Sequence, residues 1–133
     1  MRRSRPQISW PGLACGLRTG WNHDPHQLPD VLATVLEATG VAYPDRWPER
    51  DLLPAEGVSM LDSWRGTPTP EHPLVFEHEG NAAIRIGRWK LVRKYPGDWE
   101  LYDLSVDRTE LIDLAADQPD RVAAMAEQWQ EWA

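Results

Sequence analysis

The chain has 133 residues, 41% hydrophobic and 26% charged, which is ordinary globular material, while its twelve prolines predict irregular connections. Its formal charge is -7, with six of those charges after Arg65, so no positive excess offsets phosphate repulsion and nucleic-acid binding is disfavoured. No apolar run approaches the ~20 residues that span a bilayer, and the basic start Met1-Arg2-Arg3-Ser4-Arg5 leads into no hydrophobic signal segment. As written, the chain reads as cytoplasmic and without a membrane partner.

Residues 1 to 27 carry Pro6, Pro11, Pro25, Gly12, Gly16 and Gly20 with little periodicity. They read as one short strand, Gln7 to Trp10, followed by a long irregular passage. From Leu28 the pattern changes. Leu28, Val31, Leu32, Val35 and Leu36 form a helical stripe, Pro29 is tolerated in a first turn, and Gly40 supplies a stop. A helix over 28–39 that covers something apolar is expected. Between Val41 and Pro73, five prolines interrupt both ladders and helices. That segment reads as a surface-hugging connection, with a short turn of helix near Val58 to Trp64. Tyr43, Trp47, Leu52, Leu53, Leu61 and Trp64 are expected to pack it down.

Three strand signals follow, Leu74 to His78, Asn81 to Ile86 and Trp89 to Lys94, and a fourth lies around Glu100 to Leu104. Glu79-Gly80, Gly87-Arg88 and Tyr95-Pro96-Gly97-Asp98 sit where tight reversals are needed. Connections this short favour an antiparallel meander. The chain exits through a helix capped by Asp117 or Gln118, opened by Pro119, with Val122, Met125, Ala126, Trp129 and Trp132 on one stripe. The expected fold class is α+β: a small antiparallel four-stranded sheet packed by a C-terminal helix. The tryptophans read as core rather than as a ligand cage.

Four groupings are candidates for chemistry. Glu77-His78-Glu79-Gly80-Asn81 could bind a metal or perform acid-base work, but alternate strand residues point to opposite faces, so they converge only through a bend at Gly80. The competing reading is a polar hairpin turn. His23, Asp24 and His26 are good transition-metal ligand types, yet such a trio also arises by chance, and only His72 and His78 remain to complete a site. Cys15, the single cysteine, excludes an intrachain disulfide; with neighbours Ala14 and Gly16 it has no local activating group and reads as an inert thiol. Arg85, Arg88, Lys90, Arg93 and Lys94 form a basic band that suits either an anion or a solvated strand face. Alternation puts Arg88, Lys90 and Lys94 on one side and Trp89, Leu91 and Arg93 on the other. From the residues alone, the chain is a small α+β domain of unstated function.

Longer motifs carry a resemblance. The run from Phe76 to Arg85, then Gly87-Arg88-Trp89-Lys90-Leu91-Val92, Trp99-Glu100-Leu101-Tyr102-Asp103-Leu104, Asp107-Arg108-Thr109-Glu110 and Asp113-Leu114-Ala115 resembles the C-terminal part of arylsulfatases. Upstream, Ile8-Ser9-Trp10-Pro11-Gly12, His26 and the stretch from Asp30 to Gly40 resemble the piece just before that subdomain. The similarity covers nearly all of residues 7 to 132. It implies that 1–45 is the end of the sulfatase-like α/β domain, a strand-helix remnant, that 46–72 is a proline-rich connection, and that 73–133 is the C-terminal sulfatase subdomain.

The family hydrolyses sulfate esters with a formylglycine, made from Cys or Ser in a Cys/Ser-x-Pro-x-Arg motif, beside a divalent cation, usually calcium. Cys15 does not match, because Leu17 and Thr19 stand where proline and arginine are required. Neither the nucleophile nor the acidic cation ligands are present, so no catalytic residue, metal ligand or cofactor is expected in this chain, and it is expected to be inactive alone. The resemblance makes His78, Glu79 and Asn81 candidates for shaping a substrate cleft. It makes His26, Asp30, Trp89 and Tyr102 structural candidates, His26 by buried hydrogen bonding. The alternative is a non-catalytic interaction module whose partner is a separate catalytic half, or a second copy of itself in a homodimer.

Overall fold

The computed structural model describes residues 22–133. The strand expected over Gln7 to Trp10, the motif from Ile8 to Gly12, and Cys15 lie outside the described residues. The chain divides into two compact units, with the boundary between Thr69 and Pro70.

In the first unit, α1 (Leu28–Thr39) has the expected bounds. Pro29 sits in its first turn, where a missing N–H costs nothing. The Asp30 carboxylate reaches back to the Gln27 N–H at 2.8 Å, and Gly40 closes the helix in the left-handed region at φ 68°. The buried side of α1 is polar. Asp30 is fully buried and Thr34 nearly so, whereas Leu28, Val31, Leu32 and Val35 are exposed. The apolar cover expected for that stripe is therefore not found among the described residues.

The segment read as a surface-hugging connection also contains a small hairpin, β1 (Arg46–Trp47) and β2 (Arg50–Asp51), pairing Arg46 with Asp51 and Trp47 with Arg50. A one-turn helix, α2 (Leu61–Arg65), ends at Gly66. Of the six side chains expected to pack this segment down, Leu61 is buried, while Trp47 and Leu53 remain 62% and 85% exposed. Two-residue strands held between prolines have no inner face on which to hide a large side chain.

The second unit holds the hydrophobic core. Strands β3 (Leu74–His78), β4 (Asn81–Ile86), β5 (Trp89–Arg93) and β6 (Trp99–Asp103) form an antiparallel meander in sequence order. The last strand starts and ends one residue before its expected position. Ile84 pairs with Leu91, which pairs with Leu101, so one row of apolar side chains crosses three strands on one face. Helix α3 (Pro119–Trp132) covers that face with Met125 and Trp129. Complete burial of Ile84, Leu91 and Leu101 contributes about 1.5–3 kcal/mol per side chain.

Trp129 ties the layers together. Its ring meets Trp99 edge-on at 5.9 Å, and its indole Nε1–H donates to the Phe76 carbonyl at 3.1 Å. Trp89 and Trp99 pack against the same core, as expected of core tryptophans, although Trp132 at the helix end is half exposed. Gln118 is the N-cap, but its Oε1 accepts from Arg121 Nε at 2.8 Å rather than from the helix backbone. Beyond β6 the chain doubles back along the sheet edge. The Leu114 N–H donates to the Leu101 carbonyl, and the Asp113 Oδ1 accepts the Leu101 N–H, at 2.8 and 2.9 Å. An edge strand that would otherwise offer free backbone groups is thereby closed. Among the described residues no helix is long and apolar enough to cross a membrane.

Candidate functional site

The cleft candidates sit at one end of the sheet. His78 pairs with Asn81 across a two-residue reversal, with Glu79 at φ 52° and Gly80 at φ 83°. Positive φ at both central residues matches the twist of a hairpin, and glycine takes it freely, whereas glutamate is strained there. The bend expected at Gly80 is thus shared with Glu79. Glu77 Oε1 accepts the Gly80 N–H at 2.9 Å. Asn81 is fully engaged: Nδ2 donates to the His78 carbonyl at 2.9 Å, and Oδ1 accepts the Tyr95 N–H at 3.0 Å. This last bond joins the hairpin tip to the turn after β5. A Cβ placed on Gly80 would stand 3.2 Å from Tyr95 Cγ, so the tyrosine ring lies directly on that glycine. His78 and Glu79 project as exposed side chains.

The structural candidates have different surroundings. Asp30 Oδ1 accepts the Val58 N–H at 2.8 Å, and Thr34 Oγ1 accepts the Met60 N–H at 2.9 Å. These two polar side chains stitch α1 to the segment before α2. Gly57 permits the approach, because a Cβ there would meet the Pro29 carbonyl carbon at 2.5 Å. The hydrogen bond expected of His26 is not made. Its Nδ1 lies 3.7 Å from Asp30 Oδ2, an ion-pair distance too long for a hydrogen bond, and both ring nitrogens are buried without a hydrogen-bond partner. Asp24 accepts the Ser63 hydroxyl, so its carboxylate is held by that serine.

Trp89 is flanked by two guanidinium groups, Arg88 at 4.7 Å and Arg121 at 4.3 Å from the ring centroid. Tyr102 is buried, and its hydroxyl donates to Glu100 Oε2 at 2.7 Å. That hydrogen bond, then burial, then the negative charges of Glu100, Asp113 and Glu110 push its pKa up to about 12. The basic band does not converge on an anion. Lys90 Nζ binds both Glu110 oxygens at 2.6 and 2.8 Å, Arg88 lies 3.5 Å from Asp103, and Arg93 lies over the Trp99 ring.

Three aspartates that the sequence carries within the longer motifs, with no role of their own assigned there, organise the segment after β6. Asp103 Oδ1 accepts the Ser105 hydroxyl and N–H at 2.6 and 3.0 Å; the hydroxyl bond is the largest influence holding its pKa below the usual carboxylate value. Asp107 Oδ2 accepts the N–H groups of Ile112 and Leu111 at 2.8 and 2.7 Å, with the same downward effect. Asp113 Oδ1 joins Leu101 N–H and Ala115 N–H at 2.9 Å each. An aspartate two to five residues before the amides it binds is a local turn signal; the link from Asp113 to Leu101 is tertiary and has none.

Calcium requires several oxygen ligands converging on one point. Among the described residues no three His, Cys, Asp or Glu side chains are grouped to hold a metal ion. The carboxylates of Asp30, Asp103, Asp107 and Asp113 already accept backbone N–H groups. The described donor set does not fit the cation.

No family model matches the sequence. An uncharacterized sulfatase of Schizosaccharomyces pombe (strain 972 / ATCC 24843) is 33% identical over 108 residues, covering 75% of this chain and 20% of that protein. Three solved structures share the fold at low identity. Ps i-CgsB in complex with k-i-k-neocarrahexaose has a TM-score of 0.61 at 19% identity, covering 77% of this chain and 23% of that one. The BT33336S-sulf structure, from work on glycosaminoglycan metabolism by Bacteroides thetaiotaomicron, has a TM-score of 0.57 at 20% identity, covering 77% and 24%. BT4656 in complex with its substrate D-glucosamine-2-N,6-O-disulfate has a TM-score of 0.54 at 19% identity, covering 77% and 22%. The chain thus spans about a fifth of the curated relative's length. In motif run, sequence match and helix-covered antiparallel sheet, the chain is similar to a C-terminal portion of sulfatases.

Proposed function

We propose that this chain is the C-terminal portion of an arylsulfatase-like sulfuric ester hydrolase, contributing frame and substrate access but not the cleavage step. The observation that carries the reading is the chain's donor chemistry. Cleavage of a sulfate ester needs an activated oxygen nucleophile and fixed positive charge at the developing oxyanions. Cys15 lacks the required proline and arginine, and the two serines followed two positions on by proline, Ser4 and Ser9, have Ile8 and Leu13 where arginine is needed. Isothermal titration of the purified chain with calcium tests the frame role. No stoichiometric binding is expected; a one-to-one site would overturn the reading.

The second reading, docking to a separately encoded catalytic half, is favoured by the outward stripe of α1. Leu28, Val31, Leu32 and Val35 lie on successive turns and are exposed, an arrangement that favours burial against another surface. Light scattering distinguishes the partners. A monomer that associates only when a sulfatase catalytic half is added supports docking, and a stable dimer of the chain alone supports self-association instead.

A further inference from the structure

We draw no further inference here: the strongest candidate, the exposed apolar surface patch of Val106, Leu111 and Ile112 on the segment after β6, carries none because nothing in the structure shows what covers it.

Discussion

The Asp30 carboxylate accepts the Val58 N–H, 28 positions further along the chain, at 2.8 Å. With the Gln27 N–H on its other oxygen, the same buried side chain caps α1 and fixes the segment leading to α2. Asp30→Ala leaves two amides without their acceptor and is expected to cost about 3 kcal/mol. Hydrogen exchange should show the Val58 and Met60 amides opening, the latter also in Thr34→Val. Unchanged protection at Val58 would contradict the assignment.

In the second unit, stability should concentrate in the row through Ile84, Leu91 and Leu101. Leu91→Ala is expected to cost about 2–5 kcal/mol in chemical denaturation. Trp129→Phe removes the bond to the Phe76 carbonyl and part of the contact with Trp99, for about 1–2 kcal/mol. A smaller loss for Leu91→Ala than for exposed Val106→Ala would place the core elsewhere.

Acid should loosen the segment after β6. Asp103 and Asp107 have folded pKa values below the ordinary 3.8, so the unfolded chain binds more protons and their contribution is present above that value. It is lost as pH falls through the folded values. The Leu111 and Ile112 amides should therefore lose protection in this acid range, and Asp107→Ala should expose them at neutral pH. Acid-insensitive protection in the wild type would argue against the two carboxylate bonds.

Alkali acts through Tyr102. Its pKa is raised from 10.0 to about 12, so its stabilising contribution is complete below pH 10 and is lost as pH rises through 12. Ultraviolet titration of the phenolates should show a late phase that is absent in Tyr102→Phe. Persistence of that phase in the variant would assign it to another tyrosine.

Periodicity made α1, the four strands and α3 readable, because 3.6-residue and two-residue repeats leave direct marks in a sequence. It identified the α1 stripe without identifying what covers it, since a repeat specifies a face and not its partner. The β1–β2 hairpin left no mark, as two residues cannot establish a period between Pro44, Pro48 and Pro54. At the hairpin tip, Glu79-Gly80 announced a reversal. The link between Asn81 and Tyr95 spans fourteen positions and depends on two turns sharing one end of the sheet, which becomes visible only once the register is known.

Turnover of an aryl sulfate by the purified chain, with calcium present and then chelated, is the most direct test of whether the cleavage groups lie outside these 133 residues. Release no faster than in buffer is expected, identical for wild type and Cys15→Ala. Chelator-sensitive turnover that disappears in Cys15→Ala would contradict it.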